Sequence, residues 1–194
     1  MQQASSPALQ GKRVAILMTD GVEQVEYTGP RGFLEEQGAT VTLLSPKAPG
    51  ATIQGFDQLT PDQTFKVEQD VRGASHADFD ALVLPGGVAN PDYLRLSTES
   101  IAFIHAFGMA NKPIAAICHG PWTLIDAELV TNRQMTSWPT LQVDLENAGA
   151  KWSDQPVVVD GKLVTSRKPD DIPAFNQAIL SELAAVQPGQ AGAH

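Results

Sequence analysis

The stretch PIAAICHGP at residues 113–121 decides how this chain folds, because an apolar, strand-like run ends abruptly in the only cysteine, Cys118. Small residues lie two positions to either side of the thiol, at Ala116 and Gly120. This spacing is typical of a nucleophile elbow, a tight strand-to-helix turn that strains its central residue and has no room for bulky flanks. A helix that begins after the thiol would point its N–H groups at the sulfur and favour a thiolate. The stretch therefore predicts a reactive cysteine.

The segments around this elbow alternate between apolar strands and helices, which indicates an α/β fold with a mostly parallel sheet. Pro30 lies inside the first helical segment and predicts a kink or a late start there, and Ser97 is the expected N-cap of a later helix. The predicted strands are 13–18, 40–44, 80–84, 113–117 and a hairpin over 157–165. The predicted helices are 22–37, 98–109, 121–126, 139–148 and a last one from 170 or 171 to 185.

The middle of the chain is less regular. Residues 46–76 are rich in Pro, Gly, Gln and Asp, and they predict a small hairpin excursion with weak strands at 52–53 and 65–71, and an irregular remainder. The whole chain of 194 residues is long enough for one domain with an ample core, and it shows no internal repeat and no linker. We expect a single domain over 12–186, with flexible termini at 1–11 and 187–194.

The composition argues against several classes of partner. A formal net charge of −9 offers no field that would attract phosphate backbones or anionic lipid, so no nucleic acid is expected as a partner. The N-terminal residues lack the basic and apolar regions of a signal peptide, and no apolar run approaches the roughly 20 residues that span a membrane. One cysteine forms no internal disulfide, which suits a reducing compartment. A cytoplasmic protein without membrane association is the expectation.

Three loops are expected to meet at one edge of the sheet, because ligand sites in parallel sheets form outside the carboxyl ends of the strands. These loops are 19–21, which leads to Glu23 and Glu26, then 85–87, and finally 118–120. They come from distant parts of the sequence and would converge on Cys118. This convergence turns a lone cysteine into a predicted site.

A nucleophilic Cys118 needs a group that handles its proton and a cradle for developing negative charge. A protonated Glu26 could donate a hydrogen bond to the thiolate and so lower the pKa of the thiol. His119 is the commonest type of side-chain base near neutral pH. The backbone N–H groups of His119 and Gly87 would form the cradle, and Gly86 beside them would allow close approach of the backbone to a substrate.

Two more residues border the predicted site. Glu23 precedes Glu26 by three positions, so both can lie on one helix face, and Trp122 just past the elbow would line the cleft. The other histidines form no spacing with the cysteine that suggests a metal site, and no phosphate-binding glycine motif is present, so neither a metal nor a cofactor is expected. Taken singly, each feature also fits a structural role, as a buried cysteine, a solvated glutamate pair or a plain turn. Their combination predicts a site.

Taken together, several motifs resemble the PfpI intracellular protease branch of the ThiJ/PfpI superfamily, and within it the bacterial general stress proteins. They are AAICHGP at 115–121, DALVLPGG at 80–87, VEQVE at 22–26, TSWP at 136–139, VVVDG at 157–161 and TSRKPDD at 165–171. The resemblance covers about residues 12–186. It implies a flavodoxin-like three-layer sandwich of the class I glutamine-amidotransferase type, assembled as a homodimer that builds, in some members, into a hexamer.

The resemblance also implies roles for particular residues. Cys118 matches the nucleophile, Glu26 the acid that contacts the sulfur, and Glu23 an accessory acid in the same motif. Gly87 and His119 match the positions of the oxyanion amides, and His119 matches the triad histidine as well.

The third member of the family's protease triad is a glutamate from a neighbouring subunit, placed after the Pro-Gly-Gly turn. The matching position here is Asp92. Its loop, 88–92, is one residue longer than the family's, and its side chain is one methylene shorter. The resemblance therefore implies a triad in which Asp92 of one subunit orients His119 of the next.

Three functions remain open from the sequence. The first is a stress-related cysteine hydrolase that cleaves peptides through an acyl intermediate on Cys118. The second is a cofactor-independent glyoxalase or deglycase, which would act on methylglyoxal and glycated proteins through a hemithioacetal on Cys118 with Glu26 as proton carrier. The third is a redox-sensing or chaperone-like stress protein whose thiol is oxidised to sulfenic or sulfinic acid. The peptide hydrolase is the leading prediction.

Overall fold

A seven-stranded sheet forms the centre of the protein. The computed structural model describes residues 7–185. The strands in chain order are β1 (Arg13–Leu17), β2 (Val22–Glu23), β3 (Thr40–Ser45), β4 (Thr52–Asp57), β5 (Thr60–Lys66), β6 (Gln69–Asp70), β7 (Ala81–Leu84), β8 (Ile114–Ile117), β9 (Gln134–Met135), β10 (Lys151–Trp152), β11 (Val157–Asp160) and β12 (Leu163–Ser166). The helices are α1 (Gln24–Glu36), α2 (Ala89–Arg95), α3 (Thr98–Met109), α4 (Trp122–Asp126), α5 (Gln142–Asn147) and α6 (Ile172–Ala184).

The order of strands in the central sheet is β11-β12-β8-β7-β1-β3-β6. Only β11 pairs antiparallel in this sheet, so the prediction of a mostly parallel, flavodoxin-like sheet is confirmed. Every residue of β7 and β8 is buried, because helices cover both faces of these central strands. Side chains alternate between the faces. Val14 of β1 packs in the layer that includes Leu34 and Phe175 from α1 and α6, whereas Ala15 packs in the layer of Phe107 from α3. The result is a three-layer sandwich.

The connections between strands set the position of the site. The strands β8, β7 and β1 are neighbours in the sheet and run parallel, so their carboxyl ends lie side by side. The loops that follow them are the three that the sequence predicts to converge. A separate sheet of β2, β4 and β5 lies beside this edge, since Val22 and Glu23 pair with the hairpin formed by β4 and β5.

Several sequence-based boundaries were wrong. In the hairpin within 46–76, β4 is longer than the predicted strand at 52–53, and β5 lies earlier than the predicted strand at 65–71, because β4 and β5 pair with each other and β4 also pairs with β2. Strand structure ends at Lys66 and resumes briefly in β6. The segment 88–92, predicted as a loop, enters α2, where Pro91 and Asp92 occupy a first turn that tolerates proline and favours an acid. The short pair β9 and β10 was not predicted.

The ordered structure begins earlier than the predicted boundary at residue 12. Leu9 is fully buried in the core, and its N–H group donates to the Gln37 carbonyl at 2.9 Å. The predicted N-cap is confirmed, since the Ser97 hydroxyl accepts a hydrogen bond from the Ser100 N–H group. The predicted flexible segment 187–194, like residues 1–6, lies outside the described residues. Within residues 7–185, none of the helices has the length and apolar character needed to cross a membrane.

Candidate active site

Cys118 lies at the turn between β8 and α4 in a left-handed backbone conformation, with φ of +62°. Such a conformation costs a residue other than glycine about 1–3 kcal/mol, and neighbouring structure must hold it in place. Here the Cys118 N–H group donates to the Ser166 carbonyl at 3.1 Å, and the Cys118 carbonyl accepts from the Trp138 N–H group at 2.9 Å. The cysteine is therefore the strained centre of an elbow, as its small neighbours predict.

Close packing around the elbow explains why it needs glycines. A Cβ atom on Gly120 would lie 2.4 Å from the Leu84 carbonyl oxygen, and one on Gly86 would lie 2.6 Å from both Cys118 Cβ and Glu26 Oε2. Both distances are shorter than van der Waals contact. The turn after β7 and the elbow after β8 can approach each other only because these two positions lack side chains.

Glu26 on α1 is the buried acid of the site, with an exposed fraction of 0%. Its Oε2 accepts a hydrogen bond from the Gly86 N–H group at 2.8 Å, and the carboxyl group also interacts with the Cys118 thiol. Among residues 7–185, Oε1 has no hydrogen-bond partner although it is buried, so this oxygen is available to hold a proton. Burial raises the pKa of Glu26 to about 8, against smaller lowering effects from the Gly86 N–H group and Cys118. At neutral pH the carboxyl group is protonated.

Different parts of the site shift the pKa of the Cys118 thiol in opposite directions. Burial raises the pKa of the thiol, and the negative charge of an ionised Glu26 raises it further. The backbone N–H groups of Gly87 and His119 hydrogen-bond with the sulfur and lower the pKa of the thiol. Two buried groups in contact cannot both be ionised without a large cost, so Cys118 and Glu26 together carry at most one negative charge. A thiolate therefore requires that Glu26 keep its proton.

His119 is held between two indole rings. Its imidazole stacks on Trp138 with ring centroids 5.8 Å apart and meets Trp122 edge-on at 5.5 Å. Its Nδ1 lies 3.2 Å from Cys118 Sγ. Burial lowers the pKa of His119 to about 4, so the ring is neutral near pH 7. A neutral imidazole beside the thiol can exchange a proton with it.

The remaining predicted residues lie farther out. Glu23 is half-buried at the end of β2, where its Oε2 accepts from the Gln58 N–H group at 2.9 Å, and burial raises the pKa of Glu23. Trp122 on α4 is partly exposed next to His119, and its indole N–H donates to Asp144 at 2.8 Å. Asp92 is exposed in the first turn of α2, and within residues 7–185 no carboxylate hydrogen-bonds with His119. An interaction of Asp92 with His119 of another subunit stays a prediction.

Two side chains at the site were missed by the sequence analysis. Trp138, which lies in the TSWP motif at 136–139, stacks on His119. Asn90 on α2 is fully buried and connects the loop after β1 to the turn after β7 through three hydrogen bonds. The position of Asn90 directly before Pro91 gives no local signal of this role, because its contact with Thr19 spans 71 positions.

No metal centre is apparent in the described part of the chain. Within residues 7–185, the His, Cys, Asp and Glu side chains form no group of three or more that is placed to hold a metal ion. The groups that converge on the sulfur are a carboxyl group, an imidazole and backbone N–H groups. This arrangement can form a covalent bond through sulfur and move protons around it.

A flavodoxin-like sheet with a strained cysteine at its edge, facing a buried glutamate, defines a nucleophile-elbow protein. The family follows from comparison with known sequences: the model of the DJ-1/PfpI family matches residues 12–182, and the chain belongs to that family. This finding confirms the resemblance to the ThiJ/PfpI superfamily that the motifs indicate.

Similar proteins carry different functional names. "General stress protein 18" of Bacillus subtilis is 42% identical over 89% of this chain and 98% of its own length. "Protein/nucleic acid deglycase 2" of Escherichia coli is 40% identical over 90% of this chain and 99% of its own. "Putative cysteine protease YraA" of Bacillus subtilis is 40% identical over 89% of this chain and 98% of its own.

Two solved structures support the same fold. The two-domain protein with DJ-1/ThiJ/PfpI-like and ferritin-like domains from Anabaena variabilis is 35% identical, with a TM-score of 0.84 over 89% of this chain and 48% of that one. The Drosophila melanogaster DJ-1beta structure gives a TM-score of 0.81 at 26% identity, over 90% of this chain and 91% of that one.

Proposed function

We propose that this protein is a cysteine-dependent deglycase and glyoxalase, which removes methylglyoxal from adducts and converts it to lactate. One observation carries the proposal: the fully buried carboxyl group of Glu26 contacts the Cys118 thiol within a single chain. A proton carrier in contact with the nucleophile is what aldehyde chemistry requires, and this chemistry needs no third triad member. The 40% identity to a deglycase of Escherichia coli supports the same assignment.

The proposed reaction begins when Cys118 Sγ bonds to the aldehyde carbon and the thiol proton ends on the carbonyl oxygen, which gives a hemithioacetal. When the substrate is an adduct, its carbon already carries the hydroxyl group, so the bond to the adduct's thiol or amine breaks as the bond to Sγ forms, and the released group takes the thiol proton. Glu26 next assists transfer of the proton on that carbon to the neighbouring ketone carbon, while the hydroxyl proton moves to the former ketone oxygen, which yields a thioester. Water then cleaves the thioester, releasing lactate and the free thiol. The net change is addition of one water to methylglyoxal.

Lactate formation from methylglyoxal tests this proposal. The wild-type protein should form lactate, and Cys118→Ala should form none. The rate of lactate formation by Glu26→Gln should fall by at least about a hundredfold, because a positioned acid–base group contributes about 10²–10⁴-fold to the rate. Glu36→Gln is a matched control, since Glu36 is an exposed carboxylate on the same helix. Absence of turnover by the wild-type protein would refute the assignment.

A peptide hydrolase is the second candidate, and the contact between His119 Nδ1 and Cys118 Sγ favours it. Attack of the sulfur on a peptide carbonyl would give an acyl-enzyme, with the Gly87 and His119 N–H groups near the sulfur available to the oxyanion. The imidazole would then have to hold the thiol proton, which burial opposes. A carboxylate such as Asp92 from a second subunit would offset that opposition, so this activity depends on a homodimer or a larger assembly.

Acylation kinetics distinguish the two candidates. A peptide ester should give a burst of product with the wild-type protein, and both Cys118→Ala and Asp92→Asn should remove it if the triad forms between subunits. Sedimentation or mass photometry of the same samples reports whether the protein is a dimer or hexamer. A monomer that still gives a full burst would rule out the triad between subunits.

A further inference from the structure

The Cys118–Glu26 pair depends on two loops, the loop after β1 and the turn after β7. Within residues 7–185, Asn90 is the only residue whose side-chain amide forms hydrogen bonds with both. Its Oδ1 accepts from the Thr19 N–H group at 2.7 Å, in the loop after β1. Its Nδ2 donates to the Pro85 and Gly86 carbonyls, each at 3.0 Å, in the turn after β7. The amide is fully buried, and these partners fix which atom is oxygen and which is nitrogen.

The two carbonyls belong to consecutive peptide groups. In a trans peptide the C=O and N–H bonds point in opposite directions, so a group that holds the oxygen also aims the hydrogen. The Pro85 carbonyl and the Gly86 N–H group belong to one peptide group, and this N–H group donates to Glu26 Oε2 at 2.8 Å. The peptide that begins with the Gly86 carbonyl ends in the Gly87 N–H group, which hydrogen-bonds with the Cys118 sulfur.

We infer that Asn90 is a positioning residue for the reactive pair: its amide holds two successive peptide groups by their oxygens, so that one N–H group faces the Glu26 carboxyl group and the next faces the Cys118 sulfur. Asn90 touches neither reacting group. It acts through the turn, which has two glycines and would otherwise have many accessible conformations. The Glu23 N–H group reaches the same Gly86 carbonyl only at 3.4 Å and is a weaker restraint.

Asparagine suits this place for a chemical reason. The two carbonyls require two donors on one atom, and the Thr19 N–H group requires an acceptor on the same side chain. Only an amide offers both within this size, since a carboxylate has no donor and a hydroxyl has one. Replacement by serine therefore keeps at most one of the two carbonyl contacts, and replacement by alanine keeps neither.

The pH dependence of Cys118 alkylation tests this inference, with iodoacetamide as the probe. The titratable groups that face the sulfur are Glu26 from α1 and His119 from the elbow, with Glu23 acting on Glu26. In Asn90→Ser and Asn90→Ala the alkylation midpoint should rise by about one pH unit, since the sulfur loses a well-aimed donor, and the rate at pH 7 should fall by about tenfold. Alanine should have the larger effect.

The control is Asn176→Ala on α6, which removes another buried asparagine away from the elbow. It should leave the alkylation midpoint unchanged. A wild-type midpoint in a folded Asn90 variant would overturn the inference, and so would an equal shift in Asn176→Ala. The inference rests on the Cys118–Glu26 pair of the proposed function, but the readout needs no turnover of methylglyoxal. If the wild-type protein forms no lactate but the Asn90 variants still shift the alkylation midpoint, the deglycase assignment is refuted and the role of Asn90 is not.

Discussion

Replacing Glu26 by glutamine tests the physical state of the buried carboxyl group. Burial raises the pKa of Glu26 from 4.5 to about 8, so the folded protein holds this proton more tightly than the unfolded chain does. The stability gained from this proton is fully present below about pH 4.5 and is lost as the pH rises toward 8. One pKa unit corresponds to about 1.4 kcal/mol, so the free energy of unfolding should fall by roughly 2.5 kcal/mol between pH 5 and pH 7 through this group alone. Glutamine has no proton to lose and should show no such fall.

Urea denaturation at both pH values provides the measurement. The difference in unfolding free energy between Glu26→Gln and the wild type should grow by roughly 2.5 kcal/mol in favour of glutamine from pH 5 to pH 7. Other titrating groups are common to both proteins and cancel in this difference. Glu36→Gln, at an exposed position of α1, should follow the wild type at both pH values. A difference between Glu26→Gln and wild type that does not change with pH would refute the buried, protonated carboxyl group.

Three further results are expected. Gly86→Ala should cut iodoacetamide labelling of Cys118 by at least about tenfold and cost about 1–3 kcal/mol in urea denaturation, because the new methyl group would lie 2.6 Å from Cys118 Cβ. Mild peroxide should add two oxygen atoms to the intact mass of the wild type and none to that of Cys118→Ser, since the chain has no second cysteine to form a disulfide instead. Phe175→Ala should cost about 3–5 kcal/mol in urea denaturation, since this ring on α6 is fully buried, and should leave Cys118 labelling unchanged.

The central sheet was predictable because its strands carry a strong local signal. The runs at β1, β7 and β8 are short, apolar and followed by turns, which is the pattern of a parallel strand buried on both faces. The α2 helix was missed because Asn90 and Pro91 are turn formers in isolation. Contacts of α2 with α3 and α4 favour the helix there, and such contacts are invisible in a local pattern.

The site was predictable to the extent that its residues follow strand ends. Cys118 directly follows β8, Gly86 lies two residues after β7, and Glu26 lies on the first helix after β1, so the topology brings them to the same edge of the sheet. Asn90 escaped prediction because its contact with Thr19 spans 71 positions and depends on the path of two loops. The stacking of Trp138 on His119 depends in the same way on a segment beyond α4.

The protonation states at the elbow separate the reactions that this site can support. A cysteine peptidase needs an imidazole that accepts the thiol proton and keeps it, but burial lowers the pKa of His119 to about 4 and no carboxylate in residues 7–185 offsets this. Aldehyde chemistry makes a smaller demand, since protons need only pass between sulfur, oxygen and carbon through a nearby acid with a pKa close to the working pH. Glu26, with a pKa of about 8, meets that demand from within one chain. The environment that opposes a stable imidazolium is thus the same one that keeps Glu26 ready to donate a proton.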